Sequence, residues 1–222
     1  MRKLKIVPNE YYHIYNRGNN KQGIFVDDKD WSRFLFLILY LQSPFVFYNI
    51  GRYINNFVRH RVFNISNRLL DKIIQNKTVE LVNFAQMPNH FHLIVEEAIE
   101  GGISRYMQRI QDSYTKYFNT KYEKTGHLFQ GPFQIVHIKD NEQLLHLSAY
   151  IHRNPREITQ WKDKEHQFEW SSYQDCIGKN RWGEFIKPQI ILEQFTTSEE
   201  YKDFVDTSGT KVILDKELLL DY

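Results

Sequence analysis

The chain has 222 residues, 41% of them hydrophobic, with 29 basic against 27 acidic side chains for a formal charge of +2. That length can bury a substantial core, while so small a net charge does not by itself select a polyanionic partner. The single cysteine, Cys176, excludes an intrachain disulfide and fits a reducing compartment. The longest apolar run, residues 34–41, falls well short of the roughly 20 residues that span a bilayer, so no membrane partner is expected.

In chain order, the opening Met-Arg-Lys-Leu-Lys-Ile-Val-Pro has no apolar core or small-residue cleavage site, and the expected location is cytoplasmic. Residues 11–16 have the aromatic and branched content of a strand, and residues 17–23 supply a turn. Arg17 and Lys21 in that turn are of the types that meet phosphates, although a solvated turn has the same composition. Asp27 or Asp28 can cap a helix in which Trp31, Phe34, Leu35, Ile38 and Leu41 recur at core spacing, ended by Ser43-Pro44. Between residues 43 and 78, six cations stand against Asp71 alone, a local excess of +5. They are interleaved with Phe45, Phe47, Tyr48, Tyr53, Phe57 and Phe63. This mixture suits either a nucleic-acid groove with stacking rings or a solvated amphipathic insertion.

Residues 80–86 and 90–97 are predicted to form a hairpin around Met87-Pro88-Asn89. Strand alternation puts His90 and His92 on one face and Phe91, Leu93 and Val95 on the other. Two imidazoles sharing a face can supply two ligands to one divalent metal; the alternative is a hydrogen-bonded structural pair. Glu96 and Glu97 could touch the same site or simply be exposed strand-end charges. A helix over 104–123 buries Ile103, Met107, Ile110 and Tyr114, so Tyr114 and Tyr117 are read as core rings rather than nucleophiles. A glycine-containing loop follows, then a strand over 134–139.

Asp140 is an N-cap with Gln143 at the capping-box position, and the helix it opens stops before Pro155. His146, Tyr150 and Asn154 form an i, i+4, i+8 stripe on it. Trp161, Phe168 and Trp170 are expected to wrap back on the core, and residues 187–205 read as a strand leading into a helix.

Met-Pro-Asn-His-Phe-His-Leu at 87–93 and Ala-Tyr-Ile-His-Arg-Asn-Pro at 149–155 together resemble the single-tyrosine HUH transposases and their REP-associated relatives. Tyr-His-Ile-Tyr-Asn-Arg-Gly at 12–18, the tyrosine-rich run at 114–122, Gly-His-Leu-Phe-Gln-Gly at 126–131 and Trp-Ser-Ser-Tyr at 170–173 extend the resemblance over about residues 8–205. It implies an α+β fold of the HUH endonuclease type: a ferredoxin-like antiparallel sheet with helices packed on one face, which the order of predicted elements also fits. The organisation expected is a nuclease domain over 1–160 with the insertion at 43–78, an extension over 161–205 packed on it, and a tail over 206–222. Family members commonly have a shorter connection where this insertion lies.

The resemblance further implies a metal-dependent strand transferase acting on single-stranded DNA beside a hairpin or palindromic element. His90, His92 and Asn154 would hold Mg²⁺ or Mn²⁺, and Tyr150 would attack the phosphate to leave a 5′-phosphotyrosine. Arg105, Arg109, Lys116 and Arg153 join Arg17 and Lys21 as candidate phosphate contacts. His146 could orient a water or a DNA oxygen, whereas His152 faces away. A homodimer is a possible assembly. The competing readings are a metal phosphodiesterase using activated water and a non-catalytic binder of DNA hairpins.

Overall fold

A computed structural model describes residues 4–208. Its centre is a four-stranded antiparallel sheet in the order β2-β3-β1-β4, formed by β1 (Tyr11–Arg17), β2 (Val79–Met87), β3 (His90–Glu97) and β4 (Gln134–His137). With α1 (Asp28–Tyr40) following β1 and α4 (Gly102–Lys121) following β3, this is the ferredoxin-like arrangement.

The apolar half of each strand's alternation faces α1 and α4. Phe84, Phe91, Leu93 and Val95 are buried there against Phe34, Ile38, Met107 and Tyr114. Phe34 meets Phe91 at 4.8 Å and Tyr114 edge-on at 5.2 Å between centroids. Phe34→Ala therefore opens a cavity at the junction of both helices with the sheet. It is expected to cost about 3–5 kcal/mol, read as a lower denaturation midpoint at unchanged slope.

The opposite face is covered too. The helix α5 (Asn141–Arg153) lies over β2 and β3 with α8 (Ser198–Thr207) packed behind it, burying Ile94, Leu147, Ile151 and Tyr201. The expectation of helices on one face thus describes α1 and α4, while α5 forms a second layer. A β-bulge between Leu81 and Asn83 shifts the register so that Asn83, Ala85 and Met87 face α5.

Local signals set the helix starts. Asp27 caps α1, and its reciprocal partner is Asp30, a fully buried carboxylate that also accepts from Tyr117, Lys121 and Tyr122 and so ties α1 to α4. Asp140 caps α5 through the Gln143 amide at 2.8 Å, while the Gln143 side chain accepts from Lys139 N rather than closing the box on Asp140. Gly102 starts α4 so close to β2 that a Cβ would stand 2.2 Å from Thr78 O. Glu97 is neither exposed nor near the histidines; fully buried, it accepts from Gly102 N and Ile103 N and caps α4.

The insertion forms α2 (Ile50–His60) and α3 (Asn67–Ile74). Its rings are core, not a stacking platform: Phe47, Tyr53 and Phe63 pack on Phe36, and Phe57 stacks on Phe63 at 4.2 Å. Tyr48 is the exception, 80% exposed. The C-terminal segment closes the β2 edge, with Trp170 O, Ser172 N and Lys187 N bonded to Gln86, Phe84 and Leu81. It also includes α6 (Tyr173–Ile177). After Lys187 the chain makes no strand among the described residues: Pro188 O accepts from Ile191 N and Leu192 N, starting α7 (Gln189–Leu192) where the segment from 187 was expected to open with a strand. The expected tail lies outside the described residues from 209 onward. Among the described residues no helix is long and apolar enough to cross a membrane.

Candidate active site

Beneath α5, β1 and β3 present their polar alternation. His90 sits opposite Arg17 on β1 and Met87 on β2; His92 sits opposite Tyr15 and Ala85. His92 is fully buried and His90 nearly so, with centroids 5.1 Å apart and rings at right angles.

Each ring is held by its Nδ1. His92 Nδ1 shares a 2.9 Å hydrogen bond with Nε2 of His13, its diagonal neighbour on β1, and the two rings stack at 5.1 Å. His90 Nδ1 meets Asn89 Oδ1 at 2.7 Å, an orientation set by Asn89 Nδ2 donating to Lys21 O. Both Nε2 atoms are thereby turned into the space under α5.

The helix completes the site. The Tyr150 ring stands edge-on to His92 at 5.5 Å between centroids. One turn on, Asn154 Nδ2 donates to Tyr150 O and directs Oδ1 to within 3.2 Å of His90 Nε2. The predicted pair of imidazoles, the amide and the phenol therefore meet in one place.

The chemistry of this donor set fits a divalent cation. His92 Nε2 is buried with no hydrogen-bond partner among the described residues. His90 Nδ1 lies against Asn89 Oδ1 and its Nε2 against Asn154 Oδ1 at 3.2 Å, so both ring nitrogens face acceptor oxygens. A neutral imidazole has one proton for those two oxygens, and a cation held at Nε2 would fill the place of the second. Burial, reinforced by His90, His13 and Arg17, holds the His92 pKa well below the ordinary imidazole value, so the ring is neutral and able to ligate at neutral pH. Among the described residues no group of three or more His, Cys, Asp or Glu side chains could hold a metal.

The other predicted residues divide by which end of the sheet they occupy. Arg17 ends β1 beside His90, and Lys21 follows in the adjoining turn. Lys116, exposed on α4, lines a cavity of about 400 Å³ with His127 and Phe129. Phe129 bridges to Gly18, so this cavity opens at the same end. Arg105 lies at the opposite end, donating to Glu100 O. Arg109 is also committed elsewhere, since its guanidinium donates to Leu41 O, Ser43 O and Phe45 O beyond the end of α1. Helical spacing had put both arginines outside the core stripe but could not say at which end. Arg153 donates to Ser208 O beside α8. His146 is turned away from Tyr150, bonded to Ser208 Oγ at 2.9 Å and packed on Phe204. Tyr114 is buried on the far side of the sheet with its hydroxyl on Ile24 O, and Tyr117 donates to Asp30. Cys176 is buried and its thiol pKa is raised by burial, consistent with a packed side chain.

Two features were not read from the sequence. His13 was visible only as part of a motif; alternation from Tyr15 would have placed it on the site face once the β1–β3 register was known. The second is a buried relay behind α5. Asn83 donates to Ser148 Oγ at 2.9 Å, Ser148 and Tyr201 hydroxyls lie 2.6 Å apart, and Tyr201 Oη meets His152 Nδ1 at 2.8 Å. His152 Nε2 then meets Ser172 Oγ at 3.0 Å. Burial lowers the His152 pKa to about 3, so this histidine is neutral and structural. It fixes the depth of α5 on β2, and with it the height of Tyr150.

The chain matches the family described as IS200-like transposases over residues 7–154. Its fold is similar to that of a REP-associated tyrosine transposase solved bound to a REP hairpin, with a TM-score of 0.50 and 15% identity, covering 80% of this chain and 84% of that one. No curated protein sequence matches it.

Proposed function

Given that the chain belongs to the IS200-like transposase family, we propose that it is a metal-dependent single-stranded DNA endonuclease and strand transferase acting through Tyr150. The observation that carries this reading is the edge-on contact of the Tyr150 ring with His92, 5.5 Å between centroids, one helical turn from the Asn154 oxygen that meets His90 Nε2. Hairpin DNA is the proposed partner, supported by the neighbour solved with one.

His90, His92 and Asn154 would hold Mg²⁺ or Mn²⁺. When bound, the ion would draw charge from the scissile phosphate as the fifth oxygen approaches. The residues of the chain do the rest. Asn154, bonded to the Tyr150 carbonyl, couples the donor set to the nucleophile's own helical turn. Tyr150 Oη forms a bond to phosphorus, the P–O3′ bond breaks, and the leaving 3′ oxygen takes up a proton while the phenol gives one to solvent. Arg17, next to His90 on β1, offsets charge on the non-bridging oxygens. The new ester keeps the phosphodiester count unchanged, so a 3′-hydroxyl of another strand can run the step in reverse and join.

The test is incubation of the protein with a labelled hairpin bearing single-stranded flanks and Mn²⁺, followed by mass spectrometry of tryptic peptides. A nucleotide adduct on the peptide containing Tyr150 supports the reading; cleavage with no adduct, or an adduct on another tyrosine, refutes it.

His13 is assigned a positioning role. Its Nε2 shares a hydrogen bond with His92 Nδ1, and with His92 as the donor the other nitrogen of that ring is left to ligate. His13→Phe should weaken Mn²⁺ binding about 10- to 100-fold by calorimetry, with the helical circular dichroism of the protein retained. Unchanged affinity would remove His13 from the site.

A further inference from the structure

We infer that the outward stripe of α2 is a second DNA-contact surface, one that takes the phosphate backbone of a duplex stem; this rests on the hairpin-DNA reading above. Arg52, Asn55, Asn56, Arg59 and His60 fall at i, i+3, i+4, i+7 and i+8, a single face of the helix opposite the buried Ile54 and Phe57. With Tyr53 and Asn64 they line a cavity of about 470 Å³ that has no carboxylate in its wall among the described residues.

The cations of the insertion differ in what they are doing. Arg61 is paired with Asp28 and Glu169, and Lys77 with Glu80. Arg52 and Arg59 are exposed, and among the described residues no acid pairs with either. Two guanidiniums with amides between them and no acid nearby make a surface of one sign, which an anion relieves. Seven residues of helix separate them by about 10 Å along its axis, so the two guanidiniums can meet different phosphates.

The rings decide which form of DNA. A surface for unpaired bases needs exposed aromatic faces. Here Tyr53, although it lines the cavity, is half-buried with one face stacked on Phe36 at 5.4 Å, Phe57 is buried against Phe63, and Tyr48 lies outside the cavity. What α2 offers outward is charge and amide, the requirements of a paired backbone.

Position links this surface to the site. Arg61 Nη2 bonds Asp28 Oδ2 at 3.1 Å, bringing the C-terminal end of α2 to the start of α1. The segment leading into α1 is tied to the hairpin turn by Ile24 N and Phe25 N, both donating to Pro88 O. His90 lies two residues after Pro88. Arg59 and His60 thus occupy the His90 end of the sheet, on the other face from Tyr150, where a stem can rest while its flank enters under α5.

The test compares the wild-type protein with the double variant Arg52→Gln/Arg59→Gln by fluorescence anisotropy, over about 50 to 200 mM salt. The DNAs are a hairpin with a single-stranded flank, the duplex stem alone, and the flank alone. Both positions are exposed and glutamine matches arginine in helix propensity, so the thermal midpoint should not move. The expected result is about tenfold weaker binding of the hairpin and the stem at the low-salt end. The log–log salt slope on the stem should become shallower by about 1.8, or about 0.9 for each phosphate no longer neutralised, with flank binding unchanged. Equal affinity and slope for the two proteins would overturn the proposal while leaving the hairpin reading standing, as would a loss confined to the flank. Failure of the wild-type protein to bind any of the three DNAs would sink both.

Discussion

Tyr150→Phe is expected to abolish the covalent adduct and to lower strand cleavage by about 10⁴-fold or more, because it removes the attacking oxygen. The ring itself is 4% exposed and packs edge-on against His92, an arrangement that phenylalanine keeps. The variant should therefore fold, bind Mn²⁺ and bind hairpin DNA as the wild-type protein does. Gel analysis of cleaved flank, run beside an anisotropy titration, separates these quantities. Cleavage persisting at wild-type rate would mean that water is the nucleophile, and the phosphodiesterase reading would replace the strand-transfer one. Absence of cleavage in the wild-type protein, with hairpin binding intact, would favour a binder that does no chemistry.

The second large effect is expected from His92→Ala. This substitution removes one of the two imidazole donors and leaves His13 Nε2 facing a void where it now has a 2.9 Å partner. Mn²⁺ affinity should fall at least about 100-fold, beyond the loss expected for the positioning residue His13. Cleavage should fall with it and should not return on raising the metal concentration into the range that saturates the wild-type protein. The unpaired His13 nitrogen also costs about 1–3 kcal/mol of stability, visible in urea denaturation. Because the His92 pKa is held well below its ordinary value, protons do not compete for this nitrogen near neutral pH. Protonation of this ring should accordingly weaken metal binding by the wild-type protein only at a pH well below the ordinary imidazole range, and His92→Ala should remove that part of the pH dependence. Calorimetry in which the variant binds Mn²⁺ like the wild-type protein would refute the assignment of His92.

Some of the site could be read from local periodicity. A two-residue repeat on β3 put His90 and His92 on one face and Phe91 on the other, and the structure shows that division, with Phe91 against Phe34 and His92 against Tyr150. A helical repeat on α5 put Tyr150 and Asn154 one turn apart, and the same caps and turns gave the order of elements. These properties depend on neighbours within one turn or one strand, so the chain carries them locally.

Other assignments needed the third dimension. The sequence held His146 in the same stripe as Tyr150, but α8 lies over that part of α5 and takes His146 for Ser208 and Phe204. It gave Arg109 an outward face, but the end of α1 claims the guanidinium. It gave the insertion rings and cations without saying which pointed inward, and packing on Phe36 resolved the two sets. The bond from His13 to His92 joins residues 79 positions apart. By itself, then, the sequence determined the element order and which residues share a face of each element; the tertiary structure decided which faces meet, at which end of the sheet, and which polar groups are already taken. The physical reason is that alternation and helical phase follow from bond geometry along the chain, whereas pairing register and helix docking follow from burial and hydrogen bonding between segments far apart in sequence.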